Sequence, residues 1–181
     1  MIIEGLITTE DADGRPHVSP LGPVVDSACE SWTLRPFKSS NSFKNLRRNP
    51  ACCFHVTDDV LAVTKLVLKL PHELPISKID GVWRIDSACH WYHLCVREWN
   101  LESDRTEARA TVEDTGCIRP FWGWNRAKHC VLEAAILMTR THILEKEFID
   151  EELRRLESPV EKTAGPDEYE AWQLIQSHWA S

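Results

Sequence analysis

The chain has 181 residues, 43% of them hydrophobic and 27% charged, and carries a formal net charge of -7 at pH 7. That balance describes an ordinary globular chain with one core, or one core and an appended subdomain, and excludes a disordered or low-complexity polymer. The negative charge argues against nucleic acid as a partner, and no apolar run approaches the roughly 20 residues that span a bilayer.

The seven cysteines are odd in number and scattered, with no C-x-x-C pair. They predict free thiols in a reducing compartment. Met1–Gly5 lacks the basic and apolar regions of a signal peptide, so the expected location is cytoplasmic.

In chain order, Ile2 to Thr9 is apolar and β-prone, and Asp11-Ala12-Asp13-Gly14 is a hairpin turn with glycine supplying positive φ. Arg15 to Val25 is extended but broken by Pro16, Pro20 and Pro23, which predicts an edge strand running into an irregular loop. Ser31 to Arg35 is a short strand.

The stretch from Arg35 to Arg48 then holds five basic residues, three serines and no acid. Small hydroxyl and amide residues ahead of the helical pattern of Phe43 and Leu46 predict a helix N-terminus. Free N–H groups and the positive dipole end favour an anion there. Arg35 can add a bidentate clamp from the preceding strand, and Ser40 and Ser42 short donors. The same residues also fit a capped surface helix with a solvated basic face.

Ala51 to Val56 reads as a buried strand, and Thr57-Asp58-Asp59 as a cap for a helical segment from Val60 to Leu70. Leu70 to Gly81 is a connection, followed by strand-like runs Cys89–Trp99 and Arg105–Asp114. A helix is predicted from Asn125 to Leu144, with Ala127, Cys130, Val131, Ala134 and Met138 in one stripe. Acidic amphipathic helices follow at Glu145–Leu156 and Asp167–Trp179. Together these predict an antiparallel β-barrel with helical additions concentrated at the C-terminus.

Several chemistries are not supported. Cys89, His93 and Cys95 share a strand face, but Cys89 and His93 lie about 13 Å apart by strand rise, too far for one tetrahedral zinc, so no metal site is expected. There is no G-x-S-x-G elbow, H-E-x-x-H pair or phosphate-loop lysine motif. His17 and His55 can donate to a ligand, or simply be satisfied within strands.

Read in order, Glu4–Thr9, His17–Gly22, Leu34–Phe37, Ser40–Leu46 and Val56–Asp59 resemble an uncharacterised family with the FMN-binding split-barrel fold, related to flavin reductases and pyridoxamine-phosphate oxidases. The resemblance continues through Trp122–Lys128, Val131–Ala134, Thr139-Arg140 and Lys162–Gly165, and so covers nearly the whole chain. It implies a mainly β protein: a Greek-key split barrel over 1–122, with a C-terminal helical subdomain over 123–181 packed on it. It also implies a homodimer holding FMN non-covalently at the subunit interface.

The family's Ser-x-Thr-Tyr motif corresponds to Ser40-Asn41-Ser42-Phe43, making Ser39 to Ser42, with Arg35, the implied phosphate site. The Pro20-Leu21-Gly22 turn is expected at the isoalloxazine edge, beside His17 and Ser19. Thr8 and Thr9 are expected against the ribityl chain or ring, with His55 nearby. Asn125, Arg126 and Lys128, with Trp124, are expected near the dimer interface and the partner's flavin. The alternative there is that Asn125 only caps its helix. The chain departs from the family at Phe43 for tyrosine, His55 for asparagine and Ser39 for glycine, changes that bear on affinity more than fold.

The resemblance implies an FMN-dependent oxidoreductase of the flavin-reductase type, taking hydride from a reduced nicotinamide or another donor and passing it to a small-molecule substrate. The flavin, not a protein residue, carries the redox chemistry. The alternative is a non-catalytic flavin- or nucleotide-binding module: a carrier, sensor or assembly factor.

Overall fold

The structure, a computed structural model, describes residues 1–181. Nine strands form in chain order: β1 (Gly5–Glu10), β2 (Pro16–Leu21), β3 (Val24–Val25), β4 (Ser31–Leu34), β5 (Ala51–Val56), β6 (Ile76–Ile79), β7 (Val82–Ile85), β8 (His90–Asn100) and β9 (Glu107–Cys117). The helices are α1 (Asn41–Arg48), α2 (Val60–Val67), α3 (Arg126–Met138), α4 (Lys146–Thr163) and α5 (Pro166–Ala180).

The first hairpin forms as its sequence dictates. Asp11 Oδ1 accepts the N–H groups of Asp13 and Arg15, both at 2.9 Å, and Gly14 takes φ +76°. β2 then lies at the edge of an antiparallel seven-stranded sheet ordered β2-β1-β5-β8-β9-β4-β3. Pro16 and Pro20 lack donors and are tolerated there because one side of the strand has no neighbour.

β3 is the opposite edge, yet the residues leading into β1 bond to it. Val25 donates to the Met1 carbonyl at 2.8 Å and Ile3 to the Pro23 carbonyl at 3.2 Å. A segment one strand from one edge reaches the other edge only if the sheet curls, so the sheet is a half-barrel. This is the split-barrel architecture expected above. Its interior is filled by Ile7, Trp32, Leu34, Leu46, Phe54, Leu94 and Ala108, all at most 2% exposed. Leu46 comes from α1, so the helix is fixed by burying its apolar side in the barrel.

β6 and β7 form a separate hairpin, β6 within the expected Leu70–Gly81 connection and β7 just after it. Its turn residues Asp80 and Gly81 take φ +50° and +83°, the paired positive values of a two-residue hairpin turn. The signal was an Asp-Gly between Ile79 and Val82. It was hidden because the flanking strands are only four residues long.

By contacts the chain divides into two units. One is Met1–Thr57 with Leu74–Phe121, and the other is Asp58–Glu73 with Trp122–Ser181. Residues 58–73, assigned by sequence to the barrel, thus fold with the helices. Val60 and Leu68 of that segment pack with Val131, Ala134, Ile149, Trp172 and Ile175.

Three helix boundaries differ from expectation, the first being α2, which stops at Val67 and not at Leu70. α3 stops at Met138, where the hydroxyl of Thr139 bonds back to the Ile136 carbonyl at 2.7 Å. α4 runs past Leu156 and through Pro159 to Thr163. Proline removes one ladder donor, but fully buried Val160 lies beyond it and holds the last turn in the helical core. No helix is long and apolar enough to cross a membrane.

Candidate functional site

The start of α1 is held by several side-chain hydrogen bonds. Ser40 is the N-cap, its Oγ accepting the Phe43 N–H at 3.1 Å. That leaves the N–H groups of Asn41 and Ser42 outside the helical ladder. The first turn holds no acid, and Arg47 and Arg48 sit in the last turn, complementing the dipole.

Side-chain bonds fix the helix to the first hairpin. Ser42 Oγ meets Ser19 Oγ at 2.7 Å, joining α1 to β2. Asn45 Nδ2 donates to Thr9 Oγ1 at 3.0 Å, and Asn45 Oδ1 accepts from Arg48 at 2.7 Å. On the other side Phe43 lies edge-on to Trp99 at 5.2 Å, with Arg47 over the same ring at 5.5 Å. The Phe43 ring that replaces tyrosine is therefore a packing element.

Arg35 leaves the end of β4 just ahead of this helix. Its Nε is buried and has no hydrogen-bond partner. A buried donor without an acceptor is costly, so the side chain is prepared for an acceptor that the protein itself does not supply.

On β2, His17 and Ser19 are half-buried, Leu21 and Gly22 are half-buried, and Pro20 is exposed. Burial pushes the His17 imidazole below its ordinary pKa, favouring the neutral ring. A Cβ on Gly22 would sit 2.8 Å from both carboxylate oxygens of Glu4. Asn41 and Ser39 are exposed at the helix entrance.

Four expected site residues are committed elsewhere. His55 is fully buried. Its Nδ1 pairs with the Leu6 carbonyl at 3.3 Å, while Nε2 accepts the Ile85 N–H at 3.1 Å. Burial pushes its pKa down to about 4, so the ring is neutral, and it pins β7 to the sheet. Thr8 is likewise spent, bonding the Trp83 and Cys53 carbonyls. Adjacent strand residues face opposite sides, so Thr8 turns toward the β6–β7 hairpin while Thr9 turns toward α1.

Asn125 caps α3, accepting the Lys128 N–H at 3.0 Å and donating to the Thr163 carbonyl at 3.1 Å. Lys128 donates to the Asp58 carbonyl at 2.8 Å and reaches the Glu168 carboxylate at 3.5 Å. Both hold the helical unit together. Arg126 is exposed, as are Trp122 at 87% and Trp124 at 101%.

Asn45 is the residue that sequence reasoning missed. Its signal was its position three residues after Ser42, on the same helix face. No three His, Cys, Asp or Glu side chains gather as a metal-binding group.

Residues 3–119 match the N-terminal domain, and residues 125–177 the remaining domain, of the family described as "Protein of unknown function (DUF447)". The chain belongs to the DUF447 family. No curated protein matches this DUF447 chain.

Among solved structures, it is similar to an FMN-bound DUF447 protein of Methanosarcina mazei, with a TM-score of 0.81 at 22% identity over 98% of this chain and 94% of that one. The chain is also similar to the styrene monooxygenase flavin reductase of Pseudomonas putida S12, with a TM-score of 0.56 at 12% identity over 66% of this chain and 82% of that one. An FMN-binding protein of Thermus thermophilus with bound 1-cyclohex-2-enone gives a TM-score of 0.55 at 13% identity over 64% of this chain and 70% of that one.

Proposed function

We propose that this DUF447 protein binds FMN at the start of α1 and works as an oxidoreductase of the flavin-reductase type on a small molecule. The carrying observation is Arg35, whose Nε is buried without a partner in the segment leading from β4 into an acid-free helix N-terminus. A phosphate monoester supplies the missing acceptor and the negative charge together. Such a donor set fits the flavin phosphate, and the FMN bound to the M. mazei relative supports the reading.

Arg35, Ser40, Asn41 and Ser42 would hold the phosphate, with Ser19 supporting Ser42. The Pro20-Leu21-Gly22 segment, exposed at Pro20, would offer backbone groups to the ring edge, and Thr9, His17 and Ser39 would border the site. Bound FMN supplies an isoalloxazine that accepts and returns a hydride. The protein's part is to anchor, orient and shield, and no side chain here is assigned as acid or base.

The protein acts as a homodimer in this reading. Trp122 and Trp124 stand out from the helical unit at 87% and 101% exposure. Large exposed aromatics of this kind mark an interaction surface, and a second copy, reached near Arg126, is the natural cover. All seven cysteines are free, which fits a reducing, cytoplasmic setting.

Calorimetric titration tests the cofactor: FMN should bind about one per subunit and much more tightly than riboflavin. Equal affinities would remove the phosphate site. Steady NAD(P)H oxidation with an added acceptor separates turnover from the carrier or sensor alternative. Light scattering at micromolar concentration checks assembly, and a monomeric FMN-bound protein would refute the shared interface.

A further inference from the structure

A second polar feature adjoins the start of α1. The β1–β2 turn and α1 enclose a cleft of about 390 Å³, with Asp11 and His17 on one wall and Asn41, Lys44 and Arg48 on the other. The helix residues recur at intervals of three and four, so they present a single face to it. The volume falls at the lower end of the range that holds drug-sized ligands.

Two acids, Asp11 and Asp13, and two bases, Lys44 and Arg48, line this cleft. Asp11 is engaged by the turn's own N–H groups, at 2.9 Å from Asp13 and from Arg15. Those bonds and the charges of Arg15 and Arg48 hold its carboxyl below the ordinary range. Asp13 pairs with Arg15 at 3.9 Å. The acids are thus held within the turn, while on the helix side Arg48 spends one N–H group on Asn45 and Lys44 makes no ion pair with either acid. Arg48 faces the Asp11 charge, so Lys44 is the cation of this lining with no carboxylate partner, and the neutral imidazole of His17 adds a hydrogen-bonding wall.

We propose that this cleft binds a second phosphate ester of nucleotide size, beside the flavin phosphate, with Lys44 and Arg48 as its counter-charges. The inference rests on the FMN reading, because Asn41 belongs both to the helix start and to the cleft wall and so makes the two anion sites neighbours. A nucleoside phosphate reaches the cleft in one of two ways, as the adenylate of FAD or as a separate nucleotide. The chemistry recognised is the same.

The test titrates 5′-AMP into FMN-loaded wild-type protein and the Lys44→Glu and Lys44→Gln variants, and titrates FAD and FMN separately into the flavin-free forms. Lys44 is exposed, so both variants are expected to fold, which far-UV circular dichroism checks. AMP binding to the loaded protein, weakened at least about tenfold by Lys44→Glu with FMN affinity unchanged, supports the separate nucleotide; the scale is one lost charge-assisted hydrogen bond. FAD binding more tightly than FMN, with that preference abolished in Lys44→Glu, supports the adenylate of FAD. Absence of both Lys44-dependent effects overturns the proposal. Equal weakening of FMN and nucleotide by Lys44→Glu also overturns it, placing Lys44 in the flavin-phosphate seat. Wild-type protein that binds no FMN refutes the flavin reading, and this inference with it.

Discussion

Replacing Arg35 with methionine should stabilise the flavin-free protein while weakening FMN binding. In the free protein, the buried Nε lacks an acceptor. Leaving a buried donor unpaired costs about 1–3 kcal/mol. The side chain as a whole is only half-buried, so the lower end applies, and methionine keeps the apolar stem while removing the donor. Relief of about 1 kcal/mol in a chain of this size raises Tm by roughly 2–4 °C.

In the FMN complex the same change deletes a charge-assisted contact to phosphate. That should cost about 2–4 kcal/mol, or roughly 30- to 1,000-fold in Kd. Riboflavin affinity should not change, because the ring contacts are untouched. Scanning calorimetry without flavin and isothermal titration with FMN and riboflavin measure the two effects. The opposite signs are the point of the experiment. A drop in flavin-free Tm would make Arg35 a structural residue, and unchanged FMN affinity in a folded variant would move the phosphate elsewhere.

Ser42→Ala should weaken FMN by only about 1 kcal/mol, the net worth of one hydrogen bond, and an effect as large as that of Arg35→Met in the same titration would contradict the assigned ranking. His55 should make the protein acid-sensitive: its folded pKa of about 4 lies below the ordinary 6.5, so the unfolded chain binds the proton first and stability falls as pH drops from 6.5 to 4. The loss reaches about 3 kcal/mol at pH 4 and vanishes above pH 7; urea unfolding of wild type and His55→Gln across this range should show a shallower pH slope in the variant, and equal slopes would argue against the buried neutral ring. Gly5→Ala should destabilise by about 3 kcal/mol, because its Cβ would lie 2.4 Å from the His55 carbonyl oxygen and 2.6 Å from the Phe54 ring. Gly22→Ala meets a side-chain carboxylate, that of Glu4, rather than backbone, and should cost less, about 1 kcal/mol; comparable losses in denaturant midpoint would refute the distinction.

Local chemistry made much of this protein readable. The Asp11–Gly14 turn, the proline-broken edge strand and the helix start ahead of Phe43 each follow from the backbone preferences of a few neighbouring residues, and all three stand in the structure. The anion-seeking character of the Arg35–Arg48 segment was also legible, because basic residues without acids around a helix start are a feature of composition and order alone.

Partner choice was not legible. Thr8 and Thr9 read alike in sequence, but the pleat sends one hydroxyl to the Trp83 carbonyl and the other to Asn45. His55 looked like a ligand donor until β7, some thirty residues further on, placed the Ile85 N–H on its second nitrogen. Asn125 and Lys128 matched a motif, yet the end of α4 took up Asn125, and Asp58 ahead of α2 with Glu168 of α5 took up Lys128, as internal fastenings. α4 continued through Pro159 because buried Val160 lies beyond it. Periodicity and caps act over a turn or two of chain, and the sequence displays them directly. Which acceptor a buried donor finds depends on segments far apart in sequence, and only the folded chain brings those together.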